Sequence, residues 1–292
     1  MDYDSQGFVR AEDGTRLFFG VRGEGPAIVL NDGIGCDGFV WRYLHPHLAE
    51  RHRVIHWHYR GHGRSGPPAD PARLNVEALA RDLCVVLDHL EVQERVLLGH
   101  SMGTQVALES YRLAPDRTRA LGLFCGSFGR VTHTFHGSDV LSQLLPGIIE
   151  RAQRNRGLVR AFWSRVPSAL AYRMARISGE VDALSIREED FRKYWDHICA
   201  IDPDVFLPML RLAGDHSAED LLSRISAPTL VIAAERDTFT PPELAQKMAE
   251  AIPDAEFERI SGSHAAPVEQ PSTIQALLDD FLARRVCDAP AQ

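Results

Sequence analysis

Val96-Leu97-Leu98-Gly99-His100-Ser101-Met102-Gly103 decides how the rest of the chain is read. A short apolar run ends in Gly-x-Ser-x-Gly, and Thr104 to Leu113 continues at helical spacing. A serine on so tight a strand-to-helix turn holds strained backbone geometry, and side chains at the two glycine positions would clash. The turn lifts the hydroxyl clear of a sheet and aims it at a helix N-terminus, whose N–H groups stabilise an oxyanion. The segment therefore predicts a strand, a nucleophile and a helix in succession.

The flanking sequence repeats that rhythm. Thr15 to Val21, Ala27 to Leu30, Arg53 to Trp57 and Arg95 to Leu98 are strand-like runs. Between the last two, Val76, Leu79, Leu83, Val86, Leu87 and Leu90 fall at helical spacing over Asn75 to Leu90. Ala120 to Phe124, Thr229 to Ala233 and Glu256 to Ile260 supply later strands. Alternation of this kind predicts an α/β fold, a mostly parallel twisted sheet of about eight strands with helices on both faces. Residues 126–226 break the rhythm. Leu141 to Gln153, Ala169 to Ile177, Glu188 to Ile201 and Val205 to Ala213 are helical in pattern, with no convincing strand. The expected organisation is a core of residues 1–125 and 227–292 with a helical cap, 126–226, inserted after strand six. The tail, Asp288 to Gln292, is expected to be disordered.

Composition narrows the partners. The 292 residues are 45% hydrophobic, enough for a core that needs no disulfide or metal staple. A formal charge of −8 without single-sign blocks argues against a nucleic-acid surface or a polybasic membrane contact. No apolar run approaches the roughly 18 residues of a membrane span. Met1-Asp2-Tyr3-Asp4-Ser5 is acidic and polar, unlike a secretory signal. Cys36, Cys84, Cys125, Cys199 and Cys287 are odd in number, scattered and without a CxxC pair, which predicts free thiols in a reducing, cytoplasmic setting. A monomer or homodimer is expected.

Three further segments join the serine turn in resembling the α/β-hydrolase superfamily, over nearly the whole chain. Leu30-Asn31-Asp32-Gly33-Ile34-Gly35 is similar to the oxyanion loop after the third strand, usually His-Gly-x-Gly. Tyr59-Arg60-Gly61-His62-Gly63-Arg64-Ser65 is similar to the loop after the fourth. Pro228 to Asp237 resembles the strand that delivers the acid. A serine hydroxyl is a poor nucleophile until an oriented base takes its proton, and the superfamily order is serine, acid, histidine. Asp237 follows an apolar strand, and His264 lies in the small-residue loop Ser261-Gly262-Ser263-His264 after another. The rival acid position, Cys125-Gly126-Ser127-Phe128-Gly129, holds no carboxylate, while Glu235 and Asp254 remain alternatives. The resemblance implies catalysis by Ser101, Asp237 and His264, with an oxyanion hole from the N–H groups of Met102 and Ile34. No cofactor is implied. The expected substrate is a small to moderate lipophilic carboxylic ester, hydrolysed through an acyl-enzyme. Lactone or C–C bond hydrolysis, acyl transfer to an alcohol and ligand reception are the other readings. Serine in place of aspartate argues against dehalogenase and epoxide-hydrolase chemistry.

One departure is Asp32, where the family usually has histidine. A carboxylate there would oppose an oxyanion, so it is expected to turn away and accept from loop amides, the alternative being an acceptor for a substrate hydroxyl. His45-Pro46-His47 and His56-Trp57-His58 lack further ligands for a metal and are expected to be structural. His62 is expected to fix its loop, and Ser65 and Ser127 to be turn residues. Phe39, Trp41, Phe128 and Phe239 sit near the site loops as candidate substrate contacts. Of Phe162, Trp163, Tyr172, Tyr194, Trp195 and Phe206 in the cap, about two are expected to face substrate, the others gluing helices together.

Overall fold

The structure is a computed structural model that describes residues 1–133, 139–163, 165, 167–178 and 186–287. Its strands are β1 (Ser5–Arg10), β2 (Arg16–Arg22), β3 (Ala27–Asn31), β4 (Arg53–Trp57), β5 (Arg95–His100), β6 (Thr118–Phe124), β7 (Thr229–Ala234) and β8 (Ala255–Ile260). They form one sheet in the order β1-β2-β4-β3-β5-β6-β7-β8. Pairing is antiparallel at β1–β2 and β2–β4 and parallel elsewhere. Every residue of β5 and β7 is buried, as strands covered on both faces require. β1 is the strand that the sequence pattern does not reveal. It is an edge strand with mostly exposed residues, so no apolar alternation marks it.

Because successive strand side chains point to opposite faces, neighbouring residues feed two separate cores. Val29, Leu97, Leu121 and Val231 belong to one cluster, and Ile28, Leu98, Phe124 and Ile232 to the other. Helices α2 (Val76–His89), α3 (Met102–Leu113) and α10 (Pro242–Ala251) cover the first. The short α1 (Leu44–Leu48), α11 (Ala266–Glu269) and α12 (Pro271–Leu282) cover the second.

Between β6 and β7 lie α4 (Val140–Arg154), α5 (Arg156–Trp163), α6 (Ser168–Ser178), α7 (Glu188–Ala200), α8 (Pro203–Asp215) and α9 (Glu219–Leu222). These helices do not pack alike. Val205, Met209 and Ala213 of α8 and Leu221 and Leu222 of α9 join the first sheet cluster. Ala171, Ile186 and Phe191 form a small cluster of their own. Asp288 to Gln292 lie outside the described residues. Cys36, Cys84, Cys125 and Cys199 are free thiols. Among the described residues, no helix is long and apolar enough to cross a membrane.

Candidate active site

Ser101 sits between β5 and α3 at φ 55°, ψ −122°, a left-handed conformation that a non-glycine residue holds only under constraint. The constraint is visible in its neighbours. A Cβ at Gly99 would lie 2.3 Å from the Gly103 carbonyl oxygen, and one at Gly103 would lie 2.1 Å from that of Asn31. Glycine at both positions lets β3, β5 and α3 close around the turn.

The loops after β7 and β8 bring Asp237 and His264 to this point. His264 Nδ1–H donates to Asp237 at 2.9 Å (Oδ2) and 3.0 Å (Oδ1), leaving Nε2 to accept from Ser101 Oγ at 2.9 Å. The carboxylate is fully buried yet well supplied with donors. Its Oδ1 accepts from the Phe239 and Thr240 amides at 2.9 Å each, and the Thr240 hydroxyl lies 2.7 Å from Oδ2. That hydroxyl is also 2.8 Å from the Cys125 carbonyl, which ties the acid's loop to the end of β6.

The histidine loop is fixed from below. Glu269 accepts from the Ser263 amide at 2.7 Å and from its hydroxyl at 2.6 Å. The His264 carbonyl accepts from His100 Nε2–H at 2.9 Å. Burial, with His264 beside it, pushes the His100 pKa down to about 3, so this ring is a neutral donor. Phe239 packs against the His264 ring at 4.9 Å between centroids. Thr240, Glu269 and His100 are positioning residues that sequence reasoning missed. Asp237-Thr238-Phe239-Thr240 carries the pattern of a turn closed by side chains, which could have drawn attention to Thr240.

Met102 opens α3, so its amide is one of the first-turn N–H groups that have no carbonyl within the helix. Ile34 lies half-buried on the facing loop, packed against the first core cluster. His62 holds this loop as expected: its Nε2 accepts from the Gly35 amide at 3.3 Å, and Nδ1–H donates to the Arg60 carbonyl at 3.2 Å. Burial lowers its pKa to about 4. Arg60, which carried no expectation, is a buried staple. It donates to Asp82 at 2.8 and 2.6 Å and to Asp13 at 2.7 Å, joining α2 to the β1–β2 turn.

Among the described residues, no loop amide donates to the Asp32 carboxylate. It lies buried with Oδ2 2.8 Å from His56 Nε2, while the Tyr3 hydroxyl meets His56 Nδ1 at 2.7 Å. The physical reason is that His56, on β4 beside β3, presents its ring directly behind the loop. Trp41 also departs from expectation. It is 0% exposed and packs with Phe124 and His100 in the second core cluster, so it cannot line a substrate pocket.

Phe39 and Phe128 are half-buried, the former stacked on Tyr194 and the latter packed on the first cluster. Ile198 and Phe206 close over Gly35, where a Cβ would meet them at 3.1 and 3.3 Å. Trp163 packs on Phe206, and Tyr172 and Trp195 pack on Phe191, whereas Phe162 is 67% exposed. His47 bonds Asp279, and His58 accepts from the Arg64 amide. Burial pushes the pKa of His45 down to about 3. Ser65 joins the His58 carbonyl to the Phe18 amide, and Ser127 bonds Gly129 within its turn. Glu235 is exposed and Asp254 pairs with Arg285, so neither reaches His264. Among the described residues, no group of three or more His, Cys, Asp or Glu could hold a metal ion.

Comparison with known proteins gives consistent relatives. A family model for the alpha/beta hydrolase fold matches residues 26–271. A protein of Azorhizobium caulinodans named as carbamate hydrolase RutD is 28% identical over 271 residues, covering 91% of this chain and 94% of its own. A thermophilic esterase from Thermogutta terrifontis is 26% identical with a TM-score of 0.78, over 96% of this chain and 98% of its own. Est816, named for degrading N-acyl homoserine lactones, is 27% identical with a TM-score of 0.73, over 94% and 100%.

Proposed function

This chain belongs to the alpha/beta hydrolase family, and we propose that it is a serine hydrolase of carboxylic esters. The carrying observation is the relay in which Ser101 Oγ, His264 and the buried Asp237 follow one another at 2.9 to 3.0 Å. His264 Nε2 takes the serine proton as Oγ attacks the acyl carbon, and Asp237 stabilises the imidazolium that results. The carbonyl oxygen becomes an anion held by the Met102 and Ile34 N–H groups. His264 then returns the proton to the departing alcohol, leaving an acyl-serine. Water, deprotonated by the same imidazole, attacks the acyl carbon; collapse of the second tetrahedral intermediate frees the acid and restores the Ser101 hydroxyl.

Apolar groups around the relay support a lipophilic acyl chain. Phe239 lies against the imidazole, and Ile198 and Phe206 close over the loop bearing Ile34. In this reading the helices between β6 and β7 roof the site, and Phe39, Phe128 and Phe239 contact substrate. The similarity to Est816 favours a lactone as a second reading, because opening a lactone breaks the same acyl C–O bond by the same steps. The test is mass spectrometry after fluorophosphonate labelling, beside turnover of p-nitrophenyl esters of graded length and of N-acyl homoserine lactones. Labelling confined to Ser101 with ester turnover is the expected result. Lactone turnover exceeding ester turnover would shift the reading to lactonase, and labelling elsewhere would overturn the site.

A further inference from the structure

We propose that a cavity at the end of the sheet opposite Ser101 binds a small monocarboxylate through Arg95. Arg95 is the first residue of β5, whereas Ser101 follows its last. Its side chain reaches a cavity of about 410 Å³ between the end of α2 and the turn joining α3 to β6. That volume suits a small organic molecule.

The guanidinium is anomalous. Arg95 is 3% exposed, and among the described residues its buried Nε has no hydrogen-bond partner and no carboxylate lies within ion-pair distance. Leaving a buried donor of a charged group without an acceptor costs stability. One carboxylate of the wall is engaged elsewhere. Asp88, on the cavity wall, pairs with Arg117 at 3.4 Å. Carbonyls at the two nearby helix ends already receive backbone amides. Val86 receives the Leu90 amide, Leu87 that of Val92 and Asp88 that of Glu91. At the end of α3, Ser110 and Tyr111 both receive the Ala114 amide. Nε therefore has a place for an acceptor that enters the cavity from solution.

The walls select its chemistry. A planar guanidinium matches a carboxylate with two parallel bonds. Leu87, Val92 and Leu113 offer apolar surface for a short hydrocarbon chain. With Asp88 paired to Arg117, the exposed Asp116 is left at the same cavity to repel a second negative charge, which disfavours phosphate.

The probe is hexanoate, with hexanol and inorganic phosphate as controls, titrated calorimetrically into the full chain carrying Ser101→Ala. Hexanoate is expected to bind saturably at millimolar concentration, hexanol and phosphate at least about tenfold more weakly. Adding Arg95→Met, which keeps an unbranched apolar stem and removes the guanidinium, is expected to weaken hexanoate by about tenfold or more. A co-crystal with 6-bromohexanoate locates the ligand without altering Arg95, and bromine is expected between α2 and the α3–β6 turn. Hexanoate binding unchanged in Arg95→Met, phosphate binding as tight as hexanoate, no saturable binding, or no bromine in that cavity would each overturn the proposal.

Discussion

At the residue scale, Ser101 was legible because its demands are local. A strained turn between two close-packed glycines leaves a signature within five residues, and Gly103 lies where any Cβ would strike Asn31. Asp237 and His264 were legible from their places after apolar strands. Their supports were not, because Thr240, Glu269 and His100 act through contacts that only the assembled loops create. Trp41 shows the same limit from the other side: nearness in sequence to a site loop does not say which face a ring takes. Under the proposed mechanism, Ser101→Ala is expected to lower kcat/KM for p-nitrophenyl esters by about four orders of magnitude with folding intact. Near-normal turnover in that variant would remove the serine from the chemistry. Thr240→Val deletes a hydroxyl 2.7 Å from the acid while keeping its shape. It is expected to lower kcat by about tenfold with little change in KM, the cost of one hydrogen bond to a charged group. A change in KM alone would assign Thr240 to substrate binding instead.

At the scale of elements, the loop from Asp32 to Gly35 is held by His56 of β4, backed by Tyr3, and by His62 of the loop after β4, and this support reads from the sequence only in part. Asp32 stood out as a departure from the family pattern, but its partner His56 could be found only once β3 and β4 were laid side by side. His56→Ala removes the hydrogen bond to Asp32 Oδ2, whose companion Oδ1 already has no partner among the described residues. The expected loss is about 3 kcal/mol of folding stability, measured by chemical denaturation. A loss below about 1 kcal/mol would mean that water reaches the carboxylate. β1 escaped notice for a different reason. Its register with β2 runs from Ser5 opposite Val21 to Arg10 opposite Arg16, yet its side chains are largely exposed. An edge strand is defined by backbone pairing, which leaves little trace in residue type.

For the whole molecule, buried histidines make stability depend on pH. His45, His62 and His100 have pKa values pushed to about 3, 4 and 3 by burial. Unfolded, they would titrate near 6.5. Between those limits the unfolded chain binds protons that the native state refuses, so the contribution is full above about pH 6.5 and falls as pH drops toward 4. Each histidine adds a slope of about 1.4 kcal/mol per pH unit within that window. The denaturant midpoint is therefore expected to fall steadily from about pH 7 to about pH 5. A midpoint that stays level would show that these rings are hydrated in the native state.

The order of strands also sets a schedule. β5 lies between β3 and β6 in the sheet, but the histidine that meets Ser101 comes 163 residues later, beyond β8. A ribosome adding about 5–20 residues per second makes that histidine on the order of ten to thirty seconds after the serine. During that interval a nascent chain carries the nucleophile with nothing to take its proton. Under the proposed mechanism, a chain built in this order stays inert beside the ribosome until its last strand is in place.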